Sequence, residues 1–266
     1  MHYVISNLYG NMVSFEAMLS KIDFSENDHL YILGNVVGPF GIRIFREIMD
    51  MPNIHLIKGQ MEQFILDWCE AKKINDLEYD WGWLEGTYEL LDYLIMCKKR
   101  QSKFLTKLIM YLKNIPDYID LIVNEKLFEL RYNVGIREYV KATKILFDDG
   151  IPLASKYTSL NKFCLFDTSL QFYDQDESKI IIFGNGPVTS LNDYLENALN
   201  LDIEVPSDLL KLANEREVND DFSIFKYKNH YCIDSTNFPY FYNHYSTLIE
   251  RFTCLRLEDL LEFHSI

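Results

Sequence analysis

The stretch Tyr3-Val-Ile-Ser-Asn-Leu-Tyr-Gly-Asn11 decides the reading of the chain. It is a short apolar run of strand-forming residues that stops at two polar positions, Asn7 and Tyr9, followed by a glycine. Three further runs end the same way, in Asn or Gln beside a glycine: Leu33-Gly-Asn35, Lys58-Gly-Gln60 and Phe183-Gly-Asn185. Buried strands that each deliver one polar side chain at their tip are expected to converge on a site. Here every one of those side chains is uncharged.

Working outward from that stretch, the first third alternates strand and helix. After Tyr3–Ser6, the apolar residues Phe15, Met18, Leu19 and Ile22 fall at i, i+3, i+4 and i+7, an amphipathic helix. His29–Leu33 reads as the next strand. Pro39 then suits the opening turn of a helix that turns Ile42, Phe45, Ile48 and Met49 inward. Ile54–Ile57 is a third strand, and Met61–Ala71 begins a third helix. This order argues for parallel strands joined by helical crossovers, and in such sheets sites collect outside the carboxyl ends of the strands.

The middle of the chain is helical. Tyr88, Leu91, Leu94 and Ile95 form one stripe, and Phe104, Leu105, Leu108, Ile109 and Leu112 form another, closed by Pro116. Residues from about 70 to 118 read as an insertion within a single domain spanning 1–266, because no Gly/Ser/Pro linker flanks them. Tyr118–Val123 and Leu127–Tyr132, around Asn124-Glu-Lys126, read as a hairpin. The last part reads mostly as strand. Lys179–Phe183 comes first, then Phe222–Tyr227 and Tyr231–Asp234 around a Lys228-Asn-His230 turn, and Phe252–Leu257 closes the set. Asp148–Glu177 shows only weak periodicity.

A formal net charge of −14 over 266 residues repels phosphate backbones, so no nucleic-acid partner is expected. The basic run Lys98-Lys-Arg100, with Lys103 and Lys107, reads as a solvated helix face. No uncharged stretch is long enough to span a bilayer, and the chain opens directly on a strand, so a membrane role is not expected. The five cysteines (Cys69, Cys97, Cys164, Cys232 and Cys254) are scattered without a C-x-x-C pair, which fits reduced structural thiols and a cytoplasmic location.

The tip motifs, in order, resemble those of the calcineurin-like metallophosphoesterases, in particular the bacterial branch of the Ser/Thr protein phosphatase type. That family carries G/S-D-x-H-G, G-D-x-V-D-R-G, G-N-H-E, a later H-A-G and G-H-T-P. The corresponding stretches here are Ser6-Asn-Leu-Tyr-Gly10, Gly34-Asn-Val-Val37 with Gly38-Pro39, Gly59-Gln-Met-Glu62, Tyr132-Asn-Val134 and Gly184-Asn-Gly-Pro187. Cys232-Ile-Asp-Ser235 and Cys254-Leu-Arg-Leu-Glu-Asp259 echo later parts of the pattern. The resemblance implies an α/β fold, the four-layer α/β/β/α sandwich of two mixed β-sheets flanked by helices, with the helical insertion added.

It also implies a chemistry that this chain lacks. The family clamps phosphate and activates a bridging water between two divalent cations, such as Mn, Fe or Zn, about 4 Å apart. Position by position, the first Asp is Asn7 and its His is Tyr9. The second Asp is Asn35, the metal-binding Asn is Gln60, and the two late His ligands are Tyr132 and Asn185. A second register for the first late His places Ala142 there instead. The His that protonates the leaving group is Met61, and the Asp-Arg pair is missing between Val37 and Gly38. An amide keeps the shape of a carboxylate without its charge, a phenol is neutral at pH 7 and a poorer ligand than imidazole, and a thioether transfers no proton.

The expectation is therefore a pseudophosphatase that binds no metal and acts in binding or regulation. Its partner would be an active paralogue or a small-molecule ligand held among Asn7, Tyr9, Asn35, Gln60, Glu62, Asn185 and His244. The alternative is an active phosphoesterase or other hydrolase using a non-standard site, with His244 beside Glu62 or Asp234. The six histidines (His2, His29, His55, His230, His244 and His264) fall outside the ligand positions. His29 and His55 read as surface or packing residues at strand starts. His244, within Tyr240-Phe-Tyr-Asn-His-Tyr245, reads first as part of a core-filling aromatic cluster and only second as a pocket wall, whereas the Asp80-Trp-Gly-Trp83 loop reads equally as a substrate-facing loop or as a packing anchor.

Overall fold

Alternation along the strands builds the molecule. The computed structural model describes residues 1–38, 42–70, 88–133, 177–185, 195, 205–218, 223–233 and 253–264. Its strands are β1 (His2–Ser6), β2 (His29–Leu33), β3 (Ile54–Ile57), β4 (Tyr118–Val123), β5 (Lys126–Arg131), β6 (Ile180–Phe183), β7 (Phe225–Tyr227), β8 (His230–Cys232), β9 (Thr253–Arg256) and β10 (Leu261–His264). The helices are α1 (Met12–Lys21), α2 (Ile44–Ile48), α3 (Gln60–Glu70), α4 (Tyr88–Lys99), α5 (Lys103–Asn114) and α6 (Ser207–Val218).

The strands form two five-stranded mixed sheets, β10-β9-β1-β2-β3 and β4-β5-β6-β8-β7. In the first, β1, β2 and β3 run parallel and β9 and β10 add antiparallel. In the second, β5, β6 and β8 run parallel between two antiparallel hairpin partners.

Because successive side chains leave a strand on opposite faces, each central strand feeds two cores. Tyr3 and Ile5, Leu30 and Ile32, and Ile54 and Leu56 point to a core shared with Phe15, Phe45, Phe64, Leu94 and Leu108 of α1 to α5. Val4, Tyr31, Leu33 and Ile57 point the other way, to a core between the sheets with Phe128, Leu130, Ile182 and Tyr231. Ile181, Phe183, Phe225 and Cys232 meet Leu209 and Ala213 of α6 on the far side of the second sheet. Three cores between four layers is the α/β/β/α sandwich expected from the motif order.

Local signals place the elements. Asn11 caps α1, its Oδ1 accepting from the Ser14 N–H at 3.0 Å. The β4–β5 hairpin turns on Asn124 and Glu125, both at positive φ, which matches the twist of a two-residue turn. Pro116 ends the α5 segment and its carbonyl accepts from the Lys58 N–H at 2.9 Å, tying the helical segment to the tip of β3. Both α4 and α5 pack into the first core.

Three expectations are corrected. His230 is not in a turn: Lys228 and Asn229 make the turn, and His230 opens β8, paired with Tyr227 and Ile181 and buried. Phe252–Leu257 does not hold the final strand, because β10 follows and pairs with β9. Helix α6 was not anticipated within the strand-rich part; among its described side chains it buries Leu209 and Ala213, one turn apart, too narrow a stripe to stand out in a polar sequence. Pro39, the Asp80-Trp-Gly-Trp83 loop, Ala142, residues 148–176 with Cys164 among them, Phe222, Asp234 and His244 lie outside the described residues.

Candidate functional site

The tips of β1, β2, β3, β5 and β6 meet at one end of the sandwich. The first two loops are knitted by backbone bonds from Asn7 N to Gly34 O (3.2 Å), Tyr9 N to Asn35 O (2.8 Å) and Gly10 N to Val36 O (2.7 Å). Glycines permit the approach. A Cβ on Gly34, itself at φ +72°, would lie 2.6 Å from Gly59 Cα and 2.4 Å from the Tyr132 ring. One on Gly184 would lie 2.7 Å from Leu33 Cβ and 2.8 Å from Ser6 Cβ, where the second sheet touches the first. Asn7, Tyr9 and Asn35 have φ of 53°, 47° and 52°. Asn tolerates that left-handed conformation; for a bulky Tyr it is uncommon and costs energy.

Asn35 is the hub. Its Nδ2 donates to Tyr132 Oη at 2.8 Å and to Tyr9 Oη at 3.2 Å, while its Oδ1 accepts from the Met61 N–H at 3.1 Å. Both amide hydrogens and the carbonyl are thereby used, and the side chain is buried. Asn7, also buried, donates from Nδ2 to Gly184 O at 2.7 Å, a bond that bridges the two sheets. Its Oδ1 is a sealed acceptor without a hydrogen bond among the described residues, which costs about 1–3 kcal/mol.

Glu62 has a different task. Fully buried, it accepts from the backbone N–H groups of Asn35 (2.8 Å), Val36 (2.8 Å) and Gly59 (2.9 Å), so its carboxylate locks the β2 and β3 loops together. Burial pushes its carboxyl above the ordinary range, and the three N–H donors act against that shift. Both oxygens are engaged by backbone, and Glu62 is thus a brace behind the tips.

The other expected residues fall into place unequally. Tyr132 and Asn185 are buried at the tips of β5 and β6, and Tyr9 is half-buried. Gln60 is the half-buried first residue of α3, and its side chain makes no hydrogen bond among the described residues. Met61 turns its side chain into the helical core, so only its N–H reaches the site. Asn133 and Arg131, both buried beside Tyr132, were missed. Arg131 pairs with Glu129 at 2.9 Å, and Lys179 joins the same carboxylate at 2.7 Å. A signal for Asn133 existed, since it is another Asn at a strand tip.

These residues do not fit a pair of divalent cations. The centre is an amide whose N–H groups point at two phenols, where a cation would need lone pairs and negative charge. Among the described residues, no group of three or more His, Cys, Asp or Glu is disposed to hold a metal ion.

No family model and no curated protein matches the sequence. Among solved structures, the chain is similar to hypothetical protein PH1004 from Pyrococcus horikoshii OT3, with 17% identity and a TM-score of 0.46 over 99% of this chain and 87% of that one. It is similar to a metallophosphoesterase from Sphaerobacter thermophilus, with 16% identity and a TM-score of 0.35 over 69% of this chain and 59% of that one. A novel archaeal phosphodiesterase is also similar, with 10% identity and a TM-score of 0.38 over 99% and 97% of the two chains. All three TM-scores lie below 0.5, so the sandwich rests on its own strand order and cores, and the chemistry on its own residues. No described helix is long and apolar enough to cross a membrane.

Proposed function

We propose that the chain is a degenerate member of the calcineurin-like metallophosphoesterases, of the bacterial Ser/Thr phosphatase-like branch, that has lost its dinuclear metal centre. It acts in the cytoplasm by binding, with an active paralogue of the same fold or a small ligand as partner. The observation that carries this reading is the Asn35 hub. The side chain at the position of a metal-binding carboxylate spends both amide hydrogens on Tyr9 and Tyr132 and accepts the Met61 N–H with its carbonyl. Losing one ligand would weaken an enzyme; replacing each of them by a neutral group removes the charge that holds two cations together.

The test is elemental analysis of the purified protein after incubation with Mn²⁺ or Zn²⁺ and removal of free metal, combined with a phosphomonoester and phosphodiester assay. Substoichiometric metal and turnover at background are expected. Two retained cations per chain, or metal-dependent turnover that Asn35→Ala abolishes, would overturn the proposal. A hydrolase built on Glu62 finds no support, since its carboxylate is occupied by backbone donors.

A further inference from the structure

At the opposite end of the first sheet, the inter-sheet face carries three histidines on three adjacent strands: His2 on β1, His29 on β2 and His55 on β3. His29 Nδ1 and His55 Nε2 are 3.0 Å apart, and the ring centroids are 5.3 Å apart with the planes inclined by 20°. The difference, 5.3 − 3.0 = 2.3 Å, equals two ring radii of about 1.1 Å each, so both nitrogens lie on the line joining the centroids. The rings therefore meet edge to edge and nearly coplanar, the geometry of an in-line N–H···N hydrogen bond. A cation on that line would sit about 1.5 Å from each nitrogen, well inside a metal–imidazole bond of about 2.0–2.1 Å. The geometry is made for a proton.

We propose that the His29–His55 pair, braced by His2 and Glu258, is a proton-sensitive clasp across the amino ends of β1, β2 and β3, closed by one N–H near neutral pH and opened by a second added proton in mild acid. Two neutral imidazoles share two N–H groups and two lone pairs, and the bond uses one of each. A first added proton lands on the outer nitrogen of the donor ring and leaves the bond in place, now charge-assisted. A second can land only on the accepting lone pair. That sets N–H against N–H and two positive rings against each other.

The surroundings sharpen the effect. His2 Nδ1 meets Glu258 Oε1 at 2.8 Å, and the His2 ring stacks on His29 at 5.3 Å, so the Glu258 carboxylate supports His2 and not the pair. The Tyr31 ring lies 4.9 Å from that of His55. The Met1 ammonium pairs with Asp28 at 2.8 Å at the head of β2. From the facing sheet, the β4–β5 turn is tied to the Glu258 carbonyl by Asn124 Nδ2 at 3.3 Å and carries exposed Glu125 and Lys126. Neither His29 nor His55 has an ion-pair partner among the described residues. Burial first, then the charges of His29 and His2, hold the His55 imidazole below its ordinary value.

Titration of the intact chain by NMR detection of histidine side-chain nitrogens tests this directly. The pair is expected to take up its two protons in separate steps, with affinities at least tenfold apart, about one pH unit or more. Amide exchange at Tyr3 and Leu30 is expected to accelerate through the second step, while Tyr9 and Gly10 stay protected. In His55→Phe, the split is expected to disappear. Two independent, superimposed steps near about pH 6.5 in the unmodified chain would overturn the clasp, as would a split that survives in His55→Phe. If His55→Phe does not fold, the titration of the unmodified chain decides alone.

Discussion

The two ends of one parallel sheet have taken opposite courses. At the carboxyl ends of β1, β2 and β3 the side chains that converge are amides and phenols, satisfied among themselves around Asn35. At the amino ends, one strand-length away, three imidazoles and a carboxylate gather in ionisable contacts. The usual chemistry of such a sheet sits at the first end. Here the tip side chains around Asn35 are neutral and locked to one another, and the three imidazoles lie at the other end.

The comparison breaks most severely at the buried carboxyl that braces the tips. Glu62→Leu strands three buried N–H donors, each costing about 1–3 kcal/mol, so a loss of at least about 3 kcal/mol in urea denaturation is expected. Glu62→Gln, which keeps one acceptor oxygen, should lose less. Next in size, Asn35→Ala removes the hub and leaves Met61 N–H without its acceptor. At about 1 kcal/mol per neutral hydrogen bond the expected loss is about 2–3 kcal/mol, again by urea midpoint. Gly184→Ala forces a methyl against Leu33 and Ser6 where the sheets touch, and an overpacking cost of about 1–3 kcal/mol is expected from thermal denaturation.

The pH dependence separates the ends by sign. Burial holds His55 below its unfolded value, so the folded state binds fewer protons there. That contribution to stability is complete above about pH 6.5 and is lost as the pH falls toward the folded value. Glu62 lies above its unfolded value, so its contribution is complete below about pH 4.3 and is lost as the pH rises through the folded value. A Tm–pH profile should thus fall on the acid side of neutrality, and His55→Phe should flatten that fall. Smallest of all, Tyr9→Phe removes the 3.2 Å bond that Asn35 makes to a half-buried hydroxyl, for about 0.5–1 kcal/mol, and should leave the His end of the profile unchanged.

Much of this was legible in the sequence, and the misses have physical causes. The strand tips, the order of β1 to β3, the long stripes of α5 and the β4–β5 hairpin all announce themselves, because each rests on local periodicity or turn chemistry. Helix α6 did not, since two buried residues make no visible period. His230 was misplaced by one step because only pairing with Tyr227 and Ile181 shows where the turn ends. Glu62 and Met61, adjacent in sequence, point to different neighbours, one at the loops and one in the helical core.

The sequence by itself determined that four strands end in a neutral polar residue beside glycine. Residue identity alone decides whether a charge or an imidazole is available. Only the tertiary structure decided what those polar side chains bind. The hydrogen bonds of Asn35 run to Tyr9 and Tyr132, residues 26 and 97 positions away, and His29 finds His55 only because two parallel strands lie side by side. Such partners are set by strand register and by glycine-permitted contact between sheets, which no local pattern encodes.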